Sequence, residues 1–103
     1  MNELPQILHT WFTKNAGQLR SRGILGDIQR SPDDGRPKTS ASMTLENDDH
    51  GAVLIVWSSG EAELEYVNLA SGQSRQEHRD LRAPGELLDA IGTILEWAHA
   101  GNG

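Results

Sequence analysis

The sequence predicts an α+β fold, an antiparallel sheet of four to five strands with an N-terminal and a C-terminal helix packed on one face. Three observations carry that expectation. Apolar residues recur at helical spacing at both ends of the 103-residue chain. The middle alternates apolar and polar residues in short segments. Clusters of Gly, Asn, Asp and Ser separate those segments. Short turns join neighbouring strands antiparallel, and helices placed before and after such a meander pack together on one side of it.

The first helix spans residues 3–21, where Leu4, Ile7, Leu8, Trp11 and Phe12 form one apolar stripe. Asn2 is placed to cap it, and Pro5 falls in the first turn, where a missing N–H is harmless. Gly23 is a helix stop after "QLRSR", whose arginines suit the negative end of the helix dipole. Gly17 weakens the last turn.

"ILGDIQR", residues 24–30, reads as a first strand, and "SPDDGRPK", residues 31–38, as a loop that looks locally disordered. Residues 40–47 set Ala41, Met43 and Leu45 against Ser42, Thr44 and Glu46, a strand with one buried face. "NDDHG", residues 47–51, is turn chemistry. "AVLIVW", residues 52–57, is apolar on both faces, which predicts a central strand covered on both sides or closely crossed by a helix. Residues 61–69 alternate again, "ASG" turns the chain, and "QSRQEHRD", residues 73–80, is a polar edge strand. The closing helix begins near Pro84, with Leu87, Leu88, Ile91, Ile94, Leu95 and Ala98 as its buried stripe. Glu86 complements its positive end. Gly92 inside it predicts close packing against a strand, and "AGNG" reads as a frayed tail.

Length and composition bound the functional classes. Residues 1–103 suit one domain with a modest core. The absence of cysteine removes disulfides, a thiolate nucleophile and cysteine zinc sites, and fits a reducing cytoplasm. "MNELPQILHTWF" lacks the basic segment and long apolar run of a secretion signal, and no stretch reaches the length of a membrane span.

The net charge is −6, and its placement is informative. Between Thr39 and Ser74 lie Glu46, Asp48, Asp49, Glu61, Glu63 and Glu65 without a single Lys or Arg, while the remaining acids and bases cancel. Phosphate contacts need Lys and Arg, so this pattern argues against direct nucleic-acid binding and against an anionic membrane surface. A basic protein partner fits it.

Catalytic constellations are sparse. His9, His50, His78 and His99 are scattered, with no local metal-ligand spacing, and "DDH" at 48–50 reads as a solvated turn. The side chains of "EH" at 77–78 point to opposite faces of a strand. No phosphate loop, nucleophile elbow or Ser-His-Asp set is present, so neither a catalytic residue nor a cofactor is assigned. Glu61, Glu63 and Glu65 are the remaining acid–base candidates, and they would need a cleft to shift their pKa values.

The three glutamates sit on alternate residues of one strand, about 6.6 Å apart. One reading is a solvated outer face that resists edge-to-edge aggregation. The other is a recognition face that pairs with Lys and Arg of a partner, and the base-free segment favours it because solvated sheets usually mix signs. Of the tryptophans, Trp11 and Trp57 read as core, Trp57 near Tyr66 across the hairpin, and Trp97 falls just off the buried stripe.

The layout of a Trp-bearing first helix, "RGILGDI", the strand "SASMTLE", then "GAVLIVWSSGEAELEYVNLASGQ", "EH" and a leucine-rich closing helix resembles the TriTu family of bacterial immunity proteins. The resemblance spans about residues 8–98, and the hairpin and turn from Val56 to Gly72 are its most specific part. It implies a non-enzymatic cytoplasmic inhibitor that binds a cognate toxin domain. That toxin would be a tRNA-cleaving nuclease delivered by contact-dependent growth inhibition, with elongation factor Tu a possible third member of the assembly. The family motif is structural and transfers no binding residue. Asp48, Asp49, Glu61, Glu63 and Glu65 are therefore partner-binding candidates on charge alone. Two rival readings remain: a small acidic adaptor or chaperone for a secreted effector, and an enzyme whose cleft holds at least two of the glutamates.

Overall fold

The computed structural model describes residues 4–31 and 39–98 with their side chains, and the backbone of 99–100. Asn2, residues 32–38 of the expected loop, the side chain of His99 and the tail at 101–103 lie outside the described residues. The element order is α1 (Leu4–Ser21), β1 (Leu25–Arg30), β2 (Ser40–Glu46), β3 (His50–Trp57), β4 (Glu61–Asn68), β5 (Ser74–Asp80) and α2 (Pro84–Ala100). The five strands pair antiparallel in chain order, so the sheet is a meander with β1 and β5 as its edges.

Local chemistry sets the element ends. Gly23, at φ +82°, closes α1. The Ile24 N–H reaches Leu19 O at 2.9 Å and the Gly23 N–H reaches Arg20 O at 3.0 Å, the paired bonds of a glycine C-cap. α2 starts at Pro84, and the Glu86 carboxylate turns back to accept the Arg82 backbone N–H. The β3–β4 turn depends on Gly60 at φ +102°, where an added Cβ would lie 2.6 Å from Leu81 O. In return the Leu81 N–H donates to Gly60 O at 2.7 Å, fixing the path from β5 into α2.

One sheet face and the two helices enclose the core. Ala41, Met43 and Leu45 of β2, Ala52, Leu54 and Val56 of β3, and Ala62 and Leu64 of β4 are buried against Leu8 and Phe12 of α1 and Leu87, Ile91 and Ile94 of α2. The edge strand β5 joins this layer by polar means. Arg79, opposite the small Ala62, pairs with Glu77 and donates to Thr93 Oγ1 of α2 at 2.9 Å.

Three sequence expectations need correction, and a fourth resolves between its two alternatives, since helices cross β3 on one side and do not cover both. Strand β3 is central, but α1 and α2 cover only one of its faces. Val53, Ile55 and Trp57 alternate with buried neighbours and remain half-buried on the other face. Trp57 consequently lies opposite Ser40 on that open face, while Tyr66 pairs with Ala52 on the helix face, so the two aromatic residues are on opposite sides of the sheet. Leu88 is 52 % exposed and lies off the buried stripe of α2. Gly92 has no close neighbour, since a Cβ added there meets nothing within 4 Å. Gly92→Ala should therefore stabilise the protein by about 0.5–1 kcal/mol through helix propensity and a less flexible unfolded chain. A chemical-denaturation midpoint below that of the parent would show that an unrecognised neighbour restricts this position.

Trp11 and Trp97 are half-buried and pack against the core cluster. Trp97 stands edge-on to Tyr66 at 6.1 Å, and Tyr66 stacks on His50 at 5.8 Å. Among the described residues, no helix is long and apolar enough to cross a membrane.

Candidate functional site

Strand register determines what the uncovered face presents. Across it run Gln29, Ser42, Ile55, Glu63 and His78 in one row, and Asp27, Thr44, Val53, Glu65 and Gln76 in the next. A third row holds Leu25, Glu46, Gly51, Val67 and Ser74. Beyond Ile55, Trp57 follows on β3 opposite Ser40, and Glu61 on β4 opposite Asp80. The face thus has an apolar column on β3, hydroxyl groups on β2 and carboxylates on β4.

All three strand arginines point to the other side. Arg30 pairs with Ala41, Arg75 with Tyr66 and Arg79 with Ala62, all at helix-face positions. Among the described strand residues, the open face carries Asp27, Glu46, Glu61, Glu63, Glu65 and Asp80 and no Lys or Arg. The base-free surface is therefore wider than the base-free sequence segment: register extends it onto β1 and β5, whose arginines turn away.

The three glutamates have different surroundings. Glu61 accepts from Ser59 Oγ at 2.9 Å. Glu63 Oε2 lies 2.8 Å from His78 Nδ1, and His78 Nε2 lies 3.2 Å from Asp80 Oδ1. Glu65 is exposed between Val53 and Gln76. Asp48 and Asp49, also candidates, are exposed in the β2–β3 turn at the end of the sheet. Glu65 pairs with Val53, three residues past His50, which puts the turn about 10 Å further along the strands. The ladder and the turn therefore border the open face at different places.

The hydrogen bond from Glu63, then that from Asp80, raises the His78 pKa above the ordinary imidazole value, against an opposing desolvation. The folded-state value is raised, so this contribution to stability is fully present below about pH 6.5 and is lost as pH rises through the elevated value. In an NMR titration His78 should titrate above an unperturbed histidine, and Glu63→Gln should lower its midpoint. A midpoint that does not move in the variant would remove Glu63 as the cause.

His50, expected in a solvated turn, is 2 % exposed, and this is a further correction. It is the first residue of β3 rather than part of the turn. Asn47 Oδ1 accepts the backbone N–H groups of Asp49 and His50, each at 2.9 Å, and lies 3.1 Å from His50 Nδ1. Asn47 Nδ2 in turn donates to Ala98 O at 3.2 Å, tying this turn to α2. The imidazole is thus a packed partner of Tyr66, while Asp48 and Asp49 face solvent. Among the described residues, no group of three or more His, Asp or Glu side chains is arranged to hold a metal ion.

Sequence reasoning missed the apolar column of Val53, Ile55 and Trp57, the adjoining Val67, and the membership of Asp27, Glu46 and Asp80 in the same face. A usable signal existed. Two helices suffice to cover one face of a five-stranded sheet, so half of "AVLIVW" had to remain without cover.

The open sheet face thus has an apolar centre on β3 and a carboxylate border. The family described as immunity protein TriTu matches residues 6–97, and the chain belongs to that family. No curated protein matches the chain.

Proposed function

We infer that the protein is an immunity protein that binds and neutralises a cognate toxin domain, a tRNA-cleaving nuclease delivered by contact-dependent growth inhibition. Membership of the immunity family supports the existence of a toxin partner. The observation that carries the reading further is the open face, with six strand carboxylates and no Lys or Arg among the described strand residues. A nuclease that grips tRNA needs Lys and Arg against phosphate, and an acidic sheet face is complementary to such a cleft. Glu61, Glu63 and Glu65 line the toxin, with Asp48 and Asp49 extending the acidic border at the sheet's end. Inhibition takes place in the cytoplasm of the protected cell, requires no catalysis by the immunity protein, and is compatible with elongation factor Tu as a third component.

The test is co-expression with the toxin domain encoded beside this chain. Growth should be restored and tRNA should remain intact, and the two proteins should co-purify. Persistent killing by a soluble, folded pair would refute the reading. Rescue without a stable complex would instead refute direct neutralisation through a binding face.

A further inference from the structure

We propose that the open face contains a socket for one arginine side chain of the toxin, beside Gly51 and across β3 to β5, and this inference rests on the toxin-binding reading. The shape comes first. Glycine occupies the one position of the β3 open-face column that lacks a side chain, in line with Val53, Ile55 and Trp57. A hollow of about 190 Å³ lies beside it, lined on the open face by Thr44, Val53, Val67, Glu65 and Gln76; Arg75 also borders it from β5, though its register position is on the helix face.

The chemistry of the wall selects the occupant. Val53 and Val67 offer apolar surface along the hollow, which suits the methylene stem of a long cationic side chain. The Glu65 carboxylate stands at its border. Glu46 lies directly across from Gly51 on β2, while on β4 the residue across from it is Val67, with Glu65 one open-face position further along beside Val53. A purely apolar side chain would leave both carboxylates to water. An arginine satisfies stem and head together, and its planar fork matches a carboxylate in two-point contact. Self-association through this face is disfavoured, because a second copy would bring its own row of carboxylates against this one.

Gly51 also supplies a clean test. Its backbone is in ordinary strand conformation, and an added Cβ would lie 3.4 Å from Val67 Cγ1, a van der Waals contact. Gly51→Val therefore fills the socket with a residue that strands favour, so the fold should be retained. The chain is titrated with a catalytically inactive form of its cognate toxin domain. Gly51→Val should weaken binding by at least about 30-fold, the scale of an interface hot spot, with an unchanged or higher melting temperature. Glu65→Gln should weaken binding about tenfold, mainly through faster dissociation.

A measurement on the unaltered chain accompanies the variants, so that the proposal does not depend on their folding. In methyl NMR, Val53 and Val67 should shift on complex formation and lose access to a soluble paramagnetic agent. Binding by folded Gly51→Val within twofold of the parent, or unperturbed Val53 and Val67 methyl groups in a formed complex, would overturn the socket while leaving the toxin-binding reading intact. No binding by the parent chain would overturn both. A dimer of the chain alone that Gly51→Val dissolves would assign the hollow to a second copy and overturn the arginine assignment.

Discussion

Leu64→Ala is expected to destabilise the protein by about 2–5 kcal/mol, and Ile91→Ala by a similar amount. Leu64 is fully buried at the middle of β4, paired with Leu54 on β3, and Ile91 is 2 % exposed on α2. Truncation of either loses the transfer free energy of the removed carbons and leaves a cavity between the sheet and the helix layer. The sheet is fixed by its ladders and relaxes little, so the larger part of that range is expected at Leu64. Urea unfolding provides the measurement: the midpoint should fall without a change in slope. Glu65→Ala, one residue along and on the opposite face, should stay within about 0.5 kcal/mol of the parent. Equal midpoints for Leu64→Ala and Glu65→Ala would show that the two faces of β4 have been interchanged.

The second large effect concerns binding. Replacing Glu61, Glu63 and Glu65 together by Ala should weaken toxin binding roughly 30-fold or more, on the scale of 2–5 kcal/mol for truncating a buried charged partner. Glu63→Lys alone distinguishes a border role from a buried one. At the border it should chiefly slow association and reduce the salt dependence of the rate, whereas loss of a buried partner should speed dissociation. Titrations at low and moderate salt, with thermal melts as controls, decide between them. Unchanged affinity of a folded triple variant at both salt levels would return the three carboxylates to the role of a solvated sheet face.

The helices at either end, the alternation in β2 and β4, the polar edge strand and the glycine stop at Gly23 were all legible in the sequence, because each is set by short-range chemistry. Period, capping and turn preference act over a few residues, and the structure follows them at "SASMTLE", "EAELEYVN" and Gly23. The acidic character of the middle segment was likewise a matter of counting. What tertiary structure alone decided was which side of each residue meets the helices. "AVLIVW" is apolar at every position, so its pattern is silent on which alternate residues meet the helices, and strand register assigned Val53, Ile55 and Trp57 to the uncovered face. The same pairing turned Arg30, Arg75 and Arg79 away from the carboxylates, drew His50 out of an apparent turn into the core, and set Gly51 between Glu46 and Val67. Those relations link residues far apart in the chain through strand register. One residue of slip would exchange the faces of a strand, and no local pattern in β1 or β5 specifies which face that is.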